Sequence, residues 1–465
     1  MFAYVIAAAL LVQQPNQAVQ QFVSVGDSVV ALTNVRVIDG TGAPAREGQT
    51  IVLKGGVIQS IGAAGQVTVP AGARTMDLTG RSVMPGYVML HEHLFYPSGG
   101  GAVYNEQGYS FPRMYLAGGV TTMRTAGNMA GYADLNIKKA IDEGTMLGPS
   151  IDVTAPYLEG PGLPIPQVKA LRDAADARKM VNYWADEGAT SFKAYMHITR
   201  AELGAAVQEA HKRGLKITGH LCSVTFREAA SLGIDNLEHG FLTASDFVAD
   251  KKVDECPPGG GVQRSFAALN VTSAPVRALI DELVRRRVAI TSTLTVFETS
   301  SATQPSAPAR ALDAMLPEAR RQYEQRRAAI LQNADTTNSP LRKEMQLEKM
   351  FSDAGGMLVV GTDPTGFGGV IAGYSNQRAL ELLVQAGFSP LEAIKIATLN
   401  GAKYLGRDSK IGTLAVGKQA DLIVVRGDPS ARIEDVENVE IVFKGGVGYD
   451  SAKIFDSVKG RVGLH

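Results

Sequence analysis

Between residues 84 and 404, short apolar runs alternate with stretches of helical period. The runs are VMPGYVML, GVTTMRTAG, SIDVTA, TSFKAY, KITGH, DNLEHG, VAITSTL and MLVVGTD. Runs this short, bounded by Gly and turn residues, read as buried strands. Between them lie ADLNIKKAIDEG, QVKALRDAADARKMVNYWADEG, TRAELGAAVQEAHKRG and VTFREAASLG, which carry the 3.6-residue spacing of amphipathic helices. Eight strands, most followed by a helix, predict an α/β fold of the (β/α)8 TIM-barrel type. A flat doubly wound sheet is the alternative, but no glycine fingerprint follows the first run.

The two chain ends have a different texture. Residues 28–83 alternate Val and Ile with polar residues, punctuated by Gly and Asp-Gly, and show no helical period. The same texture returns in 405–465, in GTLAVGKQADLIVVRGD and VEIVFKGGVGYD. The two ends are expected to pair into one small β-sandwich. Two insertions, 241–275 and 297–350, follow the sixth and seventh strands, where such barrels build pockets and lids. The charged part of the second also reads as a solvated amphipathic helix pair.

Residues 1–18 contain an apolar stretch, Val5 to Val12, too short to span a bilayer. It reads as a signal-peptide core, although the usual positive start is missing. Export to the periplasm or beyond is therefore expected, with the cytoplasm as the alternative. No other segment is apolar and long enough to cross a membrane, so no integral membrane protein is expected. Lys plus Arg equals Asp plus Glu at 46 each, which gives no electrostatic reason to expect a nucleic-acid partner. The two cysteines, Cys222 and Cys256, rule out a disulfide scaffold or a four-thiolate zinc site. They are expected to be buried thiols, with a single bridge open to them if the chain is exported.

The candidate chemistry begins at His91 and His93, which close the first strand. Residues two apart on a strand share a face, so both imidazoles point one way and Glu92 the other. Two imidazoles aimed at one point can hold a divalent ion. Lys193, His220, His239 and Asp363 sit at or near the ends of the fourth, fifth, sixth and eighth strands, and a barrel brings those ends to one mouth. Alone, a histidine there is more often structural, and Lys193 is more often half of an ion pair. An ammonium does not ligate metal, but burial favours the neutral amine. A neutral amine reacts with carbon dioxide to give an anionic carbamate, whose two oxygens can bridge two ions. Asp363, in VVGTDPTG, can ligate and also accept a proton from water, while an Asp-Pro turn is its bland reading.

PGYVMLHEH, Lys193, the Gly-His at 219–220, LEHG at 237–240 and GTD at 361–363 together resemble the amidohydrolase superfamily. SPLEAIKIATLNGAKYLG and GTLAVGKQADLIVV extend the resemblance over nearly the whole chain beyond residue 28. Within that superfamily the likeness is to the imidazolonepropionase-like group with the Xaa-Pro dipeptidases. The resemblance implies two zinc ions: His91, His93 and Asp363 on the first, His220 and His239 on the second, with carbamylated Lys193 and a hydroxide between them. The residues by themselves leave that division, and a one-metal site, open. GVTTMRTAG resembles a family segment in which Asp follows Arg. Here Thr125 stands in that place, so no carboxylate role carries over.

The expected reaction is hydrolysis of an amide C–N bond in a small molecule, a dipeptide or an N-acyl amino acid. One ion polarises the carbonyl, hydroxide attacks, and Asp363 takes the proton and hands it to the leaving nitrogen. No G-x-S-x-G is present, and no G-x-x-x-x-G-K is followed by Ser or Thr. Tyr195 and His197 alternate with Lys193 and are candidate substrate contacts. Arg124, ending the second strand, is a candidate clamp for a substrate carboxylate, with a structural ion pair as its competing reading. The aromatic, glycine-rich segment after the first strand is expected to shape a pocket. The same site could instead open a lactone, a cyclic amide or a phosphotriester. A catalytically inert binding barrel is the alternative of another class, and the retention of all six ligands speaks against it. A homo-oligomer is compatible with this composition.

Overall fold

The computed structural model describes residues 16–98, 103–332, 340–365 and 368–463. The signal-peptide core therefore lies outside the described residues. Eight parallel strands form the centre of a mixed α/β fold: β1 (Tyr87–Glu92), β2 (Val120–Thr125), β3 (Ser150–Asp152), β4 (Ser191–Ala194), β5 (Lys216–Gly219), β6 (Asn236–Glu238), β7 (Ala289–Ser292) and β8 (Leu358–Val360). All eight fall within the apolar runs, apart from the last two residues of β1. β1, β2, β4, β6, β7 and β8 are buried along their whole length, as strands covered on both faces must be.

The ladders form two sheets, β3-β2-β1 and β4-β5-β6-β7-β8, and not one continuous ring. Two seams join them. On one side, isolated bridges pair Thr154 with Ser191 and Leu158 with Ala194. On the other, the Thr362 and Asp363 N–H groups both donate to the His91 carbonyl, at 3.1 and 3.0 Å. Gly361 allows that crossing, because a Cβ there would collide with the His91 backbone. A fully laddered barrel is thus replaced by two parallel sheets whose edges meet through a few hydrogen bonds.

The run VMPGYVML is divided. Arg81–Pro85 pairs with Leu422–Arg426 in another sheet, and the central strand starts only at Tyr87. Gly86 marks the break, pressed against Thr121 with no room for a side chain. The chain ends do pair, as expected, and their ladders join nine strands. That sheet starts earlier than residue 28, since Val23–Val25 joins it through Val447–Asp450. Alternation along Leu422–Arg426 sends Leu422 and Val424 into this sheet's own core, while Ile423 and Val425 join the main core.

Local signals set several helix starts. Thr199 and Thr225 each accept from the N–H three residues on, and Glu202 and Glu228 bond back to the cap, so the helices Arg200–Lys212 and Phe226–Leu232 begin there. The predicted helix from Gln167 starts only at Ala174, where the Asp173 carboxylate caps the Asp176 N–H at 2.8 Å. In the segment after β1, Phe95–Ser98 pairs antiparallel with Val103–Glu106. Cys222 and Cys256 are disulfide-bonded, their Cα atoms 4.9 Å apart, which ties the turn after β5 to the 241–275 insertion. The second insertion folds into helices that include Pro317–Gln332 and Pro340–Asp353. The latter is not a solvated helix, since it buries Leu341, Glu344, Met345, Leu347, Glu348 and Phe351. Among the described residues, no helix is long and apolar enough to cross a membrane.

Candidate metal centre

His91 is the penultimate residue of β1 and His93 lies just beyond it; Lys193 is in β4; His220 and His239 follow β5 and β6 directly; Asp363 follows β8. Every one is thus at the C-terminal edge of a parallel strand, the edge where such sheets carry their sites. Two of them sit in the left-handed backbone region, His239 at φ 69° and Asp363 at φ 54°. Neither is glycine, so each holds local strain that the surrounding structure must enforce.

The Asp363 carboxylate faces three imidazoles. Its Oδ1 is 3.3 Å from His93 Nε2 and 3.6 Å from His91 Nε2, and its Oδ2 is 3.6 Å from His239 Nδ1. Lys193 Nζ lies 3.2 Å from His91 Nε2. His220 closes the group, with its ring centroid 4.4 Å from that of His239, which is in turn 4.6 Å from that of His91. All six residues expected to converge do so.

Hydrogen bonds around the group orient the imidazoles. His91 Nδ1–H donates to Glu238 at 2.7 Å, and His93 Nδ1–H donates to the Gly127 carbonyl at 3.0 Å. Both Nε2 lone pairs are left aimed at Asp363. His239 Nδ1 pairs with the Thr293 hydroxyl at 2.9 Å, and its buried Nε2 has no partner among the described residues. Burial holds His93 down at about 4 and His220 at about 3, and it holds His239 well below the usual histidine value. These rings are therefore neutral at pH 7, as ligation requires. Burial pushes Asp363 upward, but His91 beside it, with His93 and His239, outweighs that and holds the carboxyl well below the usual carboxylate range. Burial also brings Lys193 down to about 8, against the pull of Glu238 and Asp363.

This donor set fits a divalent ion. One ligating atom from each of His91, His93 and Asp363 lies within 4.8 Å of the others, all three residues buried. Neutral imidazoles beside an ionised carboxylate, with an orphaned His239 nitrogen, are what a cation would satisfy.

Glu92 points away from the imidazoles, as strand alternation predicts. It accepts from Thr362, through N–H at 3.1 Å and through the hydroxyl, and from Asn376 at 2.9 Å. Desolvation raises it to about 8. Tyr195 lies beside the centre, its ring 4.8 Å from His220 and 4.6 Å from Tyr157. His197 does not continue the Lys193 face, because β4 ends at Ala194. Its N–H donates to Glu159 at 2.7 Å, and its ring lies 3.6 Å from the same carboxylate. Arg124 is not a free clamp. Its guanidinium is buried, donating to Glu238 at 2.6 Å, to the Leu90 carbonyl at 2.9 Å and to the Thr218 hydroxyl at 3.3 Å.

Sequence reasoning missed Glu238, Thr293 and Tyr157. Glu238 had a signal, since it precedes His239 on a strand that also faces Arg124. Tyr157 and Thr293 had none. The rings of Phe95 and Tyr104 pack at 5.1 Å, and Phe95 stacks on His93 at 4.4 Å, so this strand pair sets an aromatic wall beside the centre. The insertion after β7 helps line a separate cavity of about 210 Å³, with Thr299, Pro308 and Tyr323 in its wall beside Arg378.

A family model described as the amidohydrolase family matches residues 82–448. The chain belongs to the amidohydrolase family. Solved structures share the fold of this amidohydrolase. A bottromycin amidohydrolase superposes with a TM-score of 0.69 at 21% identity, covering 93% of this chain and 89% of its own. A Xaa-Pro dipeptidase with bound methionine gives 0.68 at 21%, covering 91% and 100%. A Bifidobacterium longum protein proposed to be a prolidase gives 0.67 at 24%, covering 93% and 99%. Curated relatives match over short stretches. Adenine deaminase 4 of Rhizobium meliloti (strain 1021) is 39% identical over 57 residues, 12% of this chain and 10% of that protein. A 5-methylthioadenosine/S-adenosylhomocysteine deaminase of Thermoanaerobacter pseudethanolicus (strain ATCC 33223 / 39E) is 54% identical over 35 residues, 8% of each. The match thus spans about a tenth of these relatives.

Proposed function

We propose that this chain hydrolyses an amide C–N bond, in a dipeptide or an N-acyl amino acid, at a centre of two divalent ions, zinc by resemblance. His91, His93 and Asp363 would hold one ion, and His220 and His239 the other. The observation that carries this reading is the buried Asp363 carboxylate, 3.3 to 3.6 Å from three separate imidazoles. Ions bound there supply Lewis acidity for the substrate carbonyl and acidify water toward a pKa of roughly 7. Asp363, ionised, takes the proton of the attacking water and passes it to the departing nitrogen. Burial keeps the Tyr195 phenol protonated, so it can donate toward the developing oxyanion. Phe95, Tyr104 and Tyr157 receive the apolar part of the substrate.

Lys193 is read as the carbamate bridge. A lysine lowered to about 8 has far more neutral amine at pH 7 than one at its ordinary value of 10.5. Its nitrogen bonds the carbon of carbon dioxide, and the displaced proton leaves to solvent. We also read the two sheets with their seams as the (β/α)8 barrel, 84–404, and the paired ends as its β-sandwich. The Cys222–Cys256 bridge supports an oxidising, exported location.

The test is a zinc-loaded sample offered a panel of dipeptides and N-acyl amino acids, with amino-acid release as the readout. Release from at least one class is expected, and none from any would overturn the proposal. The short stretches shared with adenine deaminases favour one second reading, hydrolytic loss of ammonia from an aminopurine. Ammonia release from adenine without amino-acid release would establish it instead.

A further inference from the structure

The turn that delivers His239 is held by two carboxylates from a helix far away in sequence. After β6 the chain turns through His239 at φ 69° and Gly240 at φ 61°. The Gly240 N–H donates to the Thr291 carbonyl at 3.0 Å, which pins one side of the turn. On the other side, Glu344 Oε1 accepts the Phe241 N–H at 2.8 Å. The same oxygen lies so close to Gly240 that a Cβ there would collide with it, and that Cβ would also come within 3.0 Å of Glu348 Oε1. Only glycine fits under these carboxylates, and only a backbone in this conformation presents the Phe241 N–H to them.

Both glutamates are fully buried, one helical turn apart on Pro340–Asp353. Among the described residues Glu344 Oε2 and both Glu348 oxygens make no close hydrogen bond, and the Ser292 hydroxyl is the donor turned toward Glu348. The chief charge near Glu344 is Glu348. Two buried carboxyls so placed cannot both be ionised, so the pair keeps a proton. That is a costly arrangement for a helix that needs only apolar contacts. It makes sense if the turn it grips matters.

We propose that Glu344, backed by Glu348, is a positioning residue for His239: it clamps the left-handed turn and so fixes the direction of the imidazole. The proposal rests on the reading of His239 as a metal ligand. Without the clamp the turn relaxes, the His239–Thr293 bond loses its geometry, and the ring is no longer held toward Asp363.

The test measures zinc retained after dialysis against EDTA, alongside kcat and KM, in the full-length chain. E344A is expected to lose zinc about tenfold more readily, with kcat falling and KM little changed. E344Q should recover most of that retention, because its amide oxygen still accepts the Phe241 N–H and its amide nitrogen donates to Glu348. G240A keeps both glutamates in the chain, but its Cβ drives the Glu344 carboxylate off the turn, so it should reproduce the loss in E344A and stands in for E344A should that variant fail to fold. Wild-type zinc retention in E344A or in G240A would overturn the proposal, as would E344Q behaving like E344A. H239A separates the two levels: if it retains zinc like the wild type, the ligand reading of His239 is wrong, whatever Glu344 does.

Discussion

Arg124 and Glu238 form an ion pair sealed from solvent, Nη2 to Oε1 at 2.6 Å, with side-chain exposures of 1% and 0%. The other Glu238 oxygen takes the His91 Nδ1–H. One carboxylate therefore joins a buried guanidinium to an imidazole of the candidate centre. Burial alone would raise Glu238, but Arg124 and His91 outweigh it and hold it well below the usual carboxylate range. R124M strands that charge, and the expected loss is about 3–5 kcal/mol by urea denaturation. R124M/E238L should recover part of it. A loss in R124M of under about 1 kcal/mol, the size of an exposed pair, would show that the two are not coupled.

Asp363 is asked to hold an ion and move a proton. D363N keeps its size and one acceptor oxygen but removes the basic group. On the substrate found in the panel, kcat is expected to fall about 10² to 10⁴-fold. Unchanged kcat in D363N would assign the proton transfer to another group.

The disulfide closes a loop with a sequence separation of 34. C222S/C256S should therefore lower stability by about 3–4 kcal/mol, and dithiothreitol should lower the wild-type midpoint by a similar amount. Identical urea midpoints with and without the bridge would contradict this.

Glu348 should make stability fall as pH rises. Burial lifts its carboxyl from 4.5 to about 8. Between those values the folded chain keeps a proton that the unfolded chain has released. Stability is then fully present below about pH 4.5 and declines toward pH 8. The groups facing it are Glu344 on its own helix and Ser292 from β7, with Gly240 alongside. E348Q should flatten that decline in urea titrations at pH 5, 6.5 and 8. Parallel curves for E348Q and wild type would place the pH dependence elsewhere.

Much of this could be read from the chain. His91 and His93 follow an apolar run, Lys193, His220, His239 and Asp363 lie at or near the ends of others, and parallel strands bring those ends together whatever the spacing in sequence. The division of VMPGYVML at Gly86 was hidden because both halves are equally apolar, although they belong to different sheets. Arg124 read as a structural ion pair or a clamp, and its pairing holds, but a strand-end arginine does not show its partner in sequence, and Glu238 lies 114 residues away. His197 lies beyond the reach of strand alternation from Lys193, since the strand stops at Ala194. Glu344 and Glu348 sat in a charged helix that reads as solvated. Their burial depends on a turn contributed by Gly240, which no local pattern reveals. Cys222 and Cys256 carry no signal of pairing beyond being the only two.

The central claim is that six distant side chains enclose divalent metal. Diffraction from zinc-soaked crystals on either side of the zinc absorption edge tests it directly. The account predicts anomalous peaks within ligating distance of Asp363, His91 and His93 on one side and of His220 and His239 on the other. A zinc-saturated crystal with no anomalous density among these residues would contradict it.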